Sequence, residues 1–329
     1  MATLFLDRAQ LELRTDGNVL AVYEGGRRRG TVPLSLLERV VVQGRQTRFE
    51  SGVLLKLAES GTATVFMGAR SSRQVALMLG PRHNDAAVRI AQTLRIRDAD
   101  YCARWARDLV AAKLRRQYRL LIQCERQRPD ARKALFDARE TLARIRAQLT
   151  DGSCDIGRLR GLEGAAARAY FAGLGAVFPP AVGFRGRNRR PPRDPVNACL
   201  SLGYTLLHFD AVRAAHAAGL DPLIGFYHRP SFGRESLASD LIEPLRPVVD
   251  AWVWELFRAE VLRAHDFSRD HEACLLNKAG RARFYGRWEP FARTHRRWLR
   301  LRCGQLARDF RKQGETFLDP DGDDEAGET

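Results

Sequence analysis

The segment Gly161-Leu162-Glu163-Gly164-Ala165-Ala166-Ala167 places one acidic residue at the opening of an alanine-rich helix, within a long helical stretch of the chain. Two other short segments carry polar groups: Gly225-Phe226-Tyr227-His228 ends a loop, and Asp240-Leu241-Ile242-Glu243 has two carboxylates three residues apart. On a helix, Asp240 and Glu243 share one face. A histidine and up to three carboxylates can therefore converge on one hard divalent ion, Mg²⁺ or Mn²⁺.

Residues 1–84 predict a small β domain. Short, partly alternating segments are separated by Asp16-Gly17 and Gly25-Gly26, which are typical hairpin turns, and one helix is predicted over residues 51–60. The predicted strands are residues 3–6, 10–14, 19–24, 31–34, 40–42, 62–67 and 74–79. This domain has no cluster of polar residues suited to catalysis, so we expect it to serve dimerisation.

Residues 85–316 predict an α-helical, metal-dependent catalytic domain, because apolar residues recur at helical spacing after the break at residues 81–85. The predicted helices are residues 86–96, 101–126, 130–149, the helix of Glu163, 197–218, 241–264, 272–285 and 289–312. Residues 317–329 are acidic and poor in apolar side chains, which predicts a disordered tail. The fold class is therefore α+β.

The charge is strongly and unevenly basic. Lys and Arg total 55 against 39 for Asp and Glu, a net charge of +16, and removing the six acids after residue 318 raises it to +22. A basic body of this kind predicts a polyanionic partner, and beside a divalent ion that partner is a phosphodiester.

The six cysteines are widely spaced and contain no Cys-x-x-Cys, which favours reduced thiols in a cytoplasmic protein over a disulfide framework or a zinc site. No run of 18 apolar residues is present, so neither a transmembrane helix nor a membrane partner is expected.

Five segments occur in an order and spacing that resemble the CRISPR-associated adaptation integrase family, whose members insert new spacers into a CRISPR array. They are residues 161–171, 190–198, 203–207, 221–228 and 236–247. The resemblance covers about residues 1–300 and is strongest from 160 to 250. The chain departs from the family pattern at Tyr227, where an aliphatic residue is usual, and at Ser239, where an aromatic residue often stands.

The resemblance implies a metal site of Glu163, His228 and Glu243, with Asp240 as an adjacent catalytic acid that positions the ion or a water. It implies Mg²⁺ or Mn²⁺ as cofactor and transesterification of a DNA 3′-OH onto a repeat phosphodiester. It also implies double-stranded DNA as substrate (prespacer and repeat), a homodimer, and a small CRISPR adaptation protein that bridges two dimers.

Two basic stretches are candidates for DNA binding. One is the loop with Arg187, Arg189 and Arg190, and the other, residues 281–302, mixes arginines with aromatic residues. Arg168, Tyr170 and Arg246 lie inside the matched segments and are secondary candidates. A solvated basic face is the ordinary explanation for either stretch, although basic residues with aromatics also suit phosphate and base contacts.

Ordinary structural roles compete at the site as well. Glu163 is also expected as an acid in the first turn of a helix, Asp240 and Glu243 as a capping box, and His228 as a hydrogen-bonded loop residue. Two other functions remain open: a structure-selective DNase that attacks branched DNA with water, and a DNA-binding scaffold with an idle metal site.

Overall fold

The computed structural model describes residues 2–8, 10–43, 46–68, 74–80, 85–150, 155–188 and 191–318. The chain divides into two compact units. The first contains residues 1–83 and 284–293, and the second contains residues 84–283 and 294–329. The sequence had placed residues 284–293 with the helical part.

Among the described residues up to residue 80, the first unit has two four-stranded sheets and one α-helix. The strands are β1 (Ala2–Leu6), β2 (Leu11–Asp16), β3 (Val19–Glu24), β4 (Arg27–Pro33), β5 (Leu37–Val42), β6 (Arg48–Phe49), β7 (Ala63–Met67) and β8 (Gln74–Met78), and the helix is α1 (Ser51–Glu59). One sheet has the order β4-β3-β2-β6 and the other β1-β5-β7-β8. In the first, β2, β3 and β4 run antiparallel and β6 lies parallel to β2; in the second, only β8 is antiparallel to its neighbour.

Leucine and valine side chains from both sheets and α1 form one hydrophobic core, with Leu20, Val40 and Leu57 completely buried. The segment 284–293 joins this unit through Tyr285. Its ring stacks on Phe5 with a centroid distance of 3.9 Å, and its hydroxyl donates to Gln43 Oε1 at 2.9 Å.

The second unit is mainly helical. Its helices are α2 (Ala86–Arg95), α3 (Ala99–Gln127), α4 (Arg132–Thr150), α5 (Ile156–Gly175), α6 (Pro195–Ala217), α7 (Ser236–Ile242), α8 (Arg246–Arg258) and the ends of α9 (Lys278–Gly314). Four helices begin where an Asp side chain accepts a backbone N–H of the first turn, as N-cap residues do: Asp85, Asp98, Asp155 and Asp194. The predicted α+β class, a small β region followed by a larger helical one, is confirmed.

Several local predictions were wrong. Two helices were predicted over residues 272–312. Instead, a hairpin of β9 (Phe267–Asp270) and β10 (Ala273–Leu276) precedes one continuous helix, α9. Pro290 lies inside α9, where Trp288 and Ala292 are buried on either side, so packing holds the helix across the missing N–H.

Within the described residues, none of the helices is long and apolar enough to span a bilayer. Five cysteines, Cys102, Cys124, Cys199, Cys274 and Cys303, are free and buried thiols, as predicted. Cys154, Arg189, Arg190 and the acidic residues after 318 lie outside the described residues.

Candidate functional site

Two of the predicted ligands, Glu163 and Glu243, meet at one buried cation, which is the ammonium of Lys113. Lys113 Nζ donates to Glu163 Oε1 at 2.5 Å and to Glu243 Oε2 at 2.7 Å. The three residues come from α3, α5 and the turn between α7 and α8. Carboxylates far apart in the chain therefore face the same point.

Glu163 lies in the middle of α5, which begins at Ile156 rather than at Gly161. The predicted role of a first-turn acid is therefore wrong, since the macrodipole acts only near the helix end. The Glu163 side chain is held on both oxygens. Lys113 contacts Oε1, and the Tyr227 hydroxyl donates to Oε2.

Glu243 opens a single 3₁₀ turn, residues 243–245, between α7 and α8. Arg116 Nη1 donates to Pro244 O at 2.7 Å and ties this turn to α3. The predicted single helix from residue 241 is thus interrupted. The capping box of Asp240 and Glu243 is also absent, because Glu235 is the N-cap of α7.

The charges around Glu243 favour its ionised form. Burial alone would raise the pKa of Glu243, but the positive charges of Arg246 and Lys113 outweigh it and hold the pKa well below its ordinary value. Burial would likewise lower the pKa of Lys113, but the carboxylates of Glu243 and Glu163 raise it. Glu243 and Lys113 therefore stabilise each other's charged forms.

Asp240 is completely buried and its carboxylate organises the loop before α7. Oδ2 accepts the backbone N–H of Phe226 at 2.8 Å and of Tyr227 at 3.0 Å, and Oδ1 accepts that of His228 at 2.9 Å. Trp105 Nε1 adds a bond to Oδ2 at 3.1 Å. The carboxylate oxygens of Asp240 are therefore committed to orienting the loop.

His228 is oriented by the same carboxylate. Its Nδ1 lies 2.7 Å from Asp240 Oδ1. Because an ionised carboxylate only accepts hydrogen bonds, Nδ1 carries a proton, and in the neutral ring the lone pair is left on Nε2, as in metal-binding histidines oriented by a carboxylate. His228 is also close enough for its charged form to lower the pKa of Glu243.

The loop reaches this position because Gly225 has no side chain. A Cβ at Gly225 would lie 2.6 Å from the carbonyl carbon of Ser236, so the loop and the start of α7 could not approach each other with a larger residue. The two family departures are accommodated locally. Tyr227 is buried against Glu163, and Ser239 Oγ donates to Glu235 O at 3.0 Å.

Two carboxylates converge on one cation, and carboxylate oxygens are donors that suit Mg²⁺ or Mn²⁺. Among the described residues, however, no group of three or more His, Cys, Asp or Glu side chains is preassembled around a metal position. The two carboxylates have the chemistry to bind a divalent ion, and the cation that lies between them is the Lys113 ammonium.

A second polar network is connected to Glu243 through Arg246. Arg246 Nε donates to Glu243 Oε1 at 2.7 Å, and its guanidinium lies 4.7 Å from the centre of the Tyr204 ring. The Tyr204 and Tyr170 hydroxyls both donate to Asp250. Burial raises the pKa of Asp250 to about 6, against the two tyrosine hydrogen bonds that lower it.

These contacts change the roles of three predicted DNA-binding residues. Tyr170 is completely buried, so the prediction that its side chain contacts DNA is wrong. Arg246 is engaged with Glu243. Arg187 donates to Asn197 Oδ1 at 2.7 Å and to Ser201 Oγ at 3.1 Å, which attaches the basic loop to α6. Arg168 is exposed on α5.

Sequence reasoning missed Lys113, Asp250 and the contact of Tyr227 with Glu163. One signal was available for Lys113, because only five of the 55 basic residues are lysines. A Lys on the apolar stripe of a helix predicts a buried ammonium, and a buried charge is expected to be paired with acidic groups.

Comparisons with known proteins agree with the resemblance. The family model described as CRISPR associated protein Cas1 matches residues 4–290. A CRISPR-associated endonuclease Cas1 of Thermodesulfovibrio yellowstonii is 38% identical over 298 residues, covering 90% of this chain and 93% of that protein.

Two solved structures share the fold. A casposase bound to integration product has a TM-score of 0.82 at 19% identity, with 96% of this chain and 92% of that chain covered. A Cas6-RT-Cas1–Cas2 complex has a TM-score of 0.80 at 23% identity over 96% of this chain and 35% of that chain. The family model over residues 4–290 and a relative 38% identical over 90% of the chain show that the chain belongs to the Cas1 family of CRISPR-associated proteins.

Proposed function

We propose that this protein is a metal-dependent DNA integrase of CRISPR adaptation, which joins a DNA 3′-OH to a repeat phosphodiester by transesterification. The observation that carries the proposal is the convergence of Glu163 and Glu243 on one buried cation. Asp240 orients His228, whose charged form acts on Glu243. Phosphoryl transfer needs a concentrated positive charge held by anionic oxygens, and this arrangement supplies the holder.

Glu163, Glu243 and His228 would hold Mg²⁺ or Mn²⁺. When bound, the ion would polarise the scissile phosphate, lower the pKa of the attacking hydroxyl and stabilise the leaving oxygen. The protein's own contribution is positional. Arg246 keeps Glu243 ionised, Asp240 presents Nε2 of His228, and Tyr227 fixes the second oxygen of Glu163.

The substrate and partners follow from charge and from the relatives. A body of net charge +22 attracts duplex DNA through its phosphates. One structural neighbour is a casposase bound to integration product and another is a complex of Cas1 with Cas2. We therefore propose prespacer and repeat DNA as substrates, a homodimer as the working form, and a small adaptation protein as bridge between dimers.

The central experiment is strand transfer of a labelled duplex into a supercoiled plasmid, with Mg²⁺ or Mn²⁺, for E163Q, H228A and E243Q. Each variant is expected to lose at least roughly 10²-fold in rate while retaining duplex binding, because the loss of an ion removes several kcal/mol of transition-state stabilisation. E255Q changes an exposed acid on α8 and serves as the matched control.

Near-normal rates in all three variants would remove the site from the mechanism. Release of plasmid nicks without joined product, by the unmodified protein with a partner protein present, would favour a DNase that uses water. Full duplex binding with neither nicked plasmid nor joined product would favour a DNA-binding scaffold.

A further inference from the structure

Lys113 is the least expected member of the site. It lies on α3 with 8% of its surface exposed, and Arg is the basic residue that this chain uses nearly everywhere else. Its ammonium contacts one oxygen of each carboxylate, Glu163 Oε1 and Glu243 Oε2. A small cation therefore lies between the two acidic groups of the proposed metal site.

The remaining carboxylate oxygens are held from outside. Tyr227 donates to Glu163 Oε2 and Arg246 donates to Glu243 Oε1. All four oxygens thus have donors, and the two that point at a common position both bond to Lys113. A divalent ion held by both Glu163 and Glu243 would compete with the Lys113 ammonium for these carboxylates.

We infer that Lys113 is a built-in competitor of the divalent ion: its ammonium occupies the ion's position between Glu163 and Glu243 and must withdraw before the ion binds. This inference rests on the proposed function, because it assigns a role toward the same metal. It makes Lys113 a positioning residue, which keeps the carboxylates ordered and limits ion binding while the site is idle.

Competition of this kind weakens the apparent affinity of the ion. When the competent state, with Lys113 withdrawn, is only a minor fraction of the molecules, the apparent Kd increases by the inverse of that fraction. A minor state populated at up to about 10% therefore predicts that removal of the ammonium tightens ion binding at least about tenfold.

The first test is titration of the full-length protein with MnCl₂ alone, at mildly alkaline pH and without DNA, by calorimetry and by the electron paramagnetic resonance signal of free Mn²⁺. K113M removes the charge but keeps an unbranched chain of similar length. It is expected to bind Mn²⁺ at least tenfold more tightly than the unmodified protein. Unchanged or weaker binding would overturn the inference.

Two further variants separate competition from general loosening of the site. K113R keeps the positive charge and is expected to bind Mn²⁺ no more tightly than the unmodified protein. Y227F removes the hydroxyl that orients Glu163 and is expected to weaken Mn²⁺ binding. If Y227F and K113M change the affinity in the same direction, the competitor role of Lys113 is wrong.

A second test needs no substitution at Lys113 and so does not depend on the folding of K113M. Lysines of the unmodified protein are labelled with an amine-reactive ester with and without MnCl₂, and each lysine is quantified by mass spectrometry. Lys133, Lys278 and Lys312 are exposed and serve as internal references. Labelling of Lys113 should increase relative to them when Mn²⁺ is present, and an unchanged or lower ratio would contradict displacement.

These outcomes are distinguishable from failure of the proposed function. If E163Q and E243Q abolish Mn²⁺ binding while K113M leaves it unaltered, the result supports the metal site and contradicts the competitor role of Lys113. If neither the unmodified protein nor K113M binds Mn²⁺, even with duplex DNA present, both the metal-dependent function and the inference about Lys113 are contradicted.

Discussion

Asp240 holds His228 twice: Oδ1 accepts the backbone N–H of His228 at 2.9 Å and lies 2.7 Å from its ring Nδ1. A single buried carboxylate oxygen thus fixes both the main chain and the imidazole of a proposed ligand. The other oxygen holds the two preceding residues, so the loop and the ring orientation depend on one side chain.

D240N is therefore expected to lower strand transfer about 10- to 100-fold, the usual effect of removing the partner that orients a metal-binding histidine. An amide has one accepting oxygen, which cannot satisfy both sets of donors. The ring tautomer of His228, read from nitrogen chemical shifts, should lose its preference for Nδ1–H. D221N is the control, because Asp221 accepts a backbone N–H elsewhere in the same loop. Full activity with the Nδ1–H tautomer retained would contradict this role.

Asp250 should make stability depend on pH in the opposite sense to a salt-bridged acid. Its pKa is raised in the folded protein from 3.8 to about 6 by burial, so the folded state keeps the proton longer than the unfolded state does. The protonated form of Asp250 contributes up to about 3 kcal/mol to the free energy of unfolding. This contribution is complete below about pH 4 and is lost as the pH rises through about 6.

D250N cannot ionise at this position, so it does not lose this stability as the pH rises. The free energy of unfolding of D250N minus that of the unmodified protein should therefore increase from acidic to neutral pH. Urea unfolding at several pH values measures this difference, in which the other titrating groups cancel. The groups facing Asp250 are Tyr170, Tyr204, Arg187 and Arg246. E255Q, on the exposed face of the same helix, should show no such trend. A pH-independent difference for D250N would contradict the raised pKa.

The basic loop should separate into a structural part and a DNA-binding part. Arg187 is hydrogen bonded to α6, so R187A should lower the free energy of unfolding by about 1–3 kcal/mol. Replacing Arg185, Arg189 and Arg190 together with Ala should instead reduce the salt dependence of duplex binding, by about 0.9 in the log–log slope for each lost phosphate contact. Binding isotherms across a salt series measure the slope, and an unchanged slope would make the loop an ordinary solvated face.

The first unit is expected to carry the dimer interface. Light scattering should find the full-length chain as a dimer and a chain lacking residues 1–83 as a monomer. In that fragment Tyr285 loses its contacts with Phe5 and Gln43. Circular dichroism must therefore show that the helices of the fragment persist. A folded fragment that remains dimeric would move the interface to the second unit.

Most of the architecture was predictable because it depends on local patterns. The turns at Asp16-Gly17 and Gly25-Gly26 lie between β2, β3 and β4 as expected, and the long helices follow apolar periodicity and Asp caps. The hairpin of β9 and β10 was not predictable. Its strands are four residues long and lack clear alternation, and they are positioned by a contact from elsewhere: Cys274 N donates to Pro192 O at 2.7 Å.

The sequence by itself determined the α+β fold class and the basic body, because composition and periodicity are properties of neighbouring residues, and the candidate ligands followed from the family resemblance. Only the tertiary structure decided what each ligand touches. Lys113 lies 50 residues from Glu163 and 130 from Glu243, and no local pattern encodes their meeting. It arises from the packing of α3 against α5 and the turn after α7, which brings one ammonium together with two carboxylates of opposite charge.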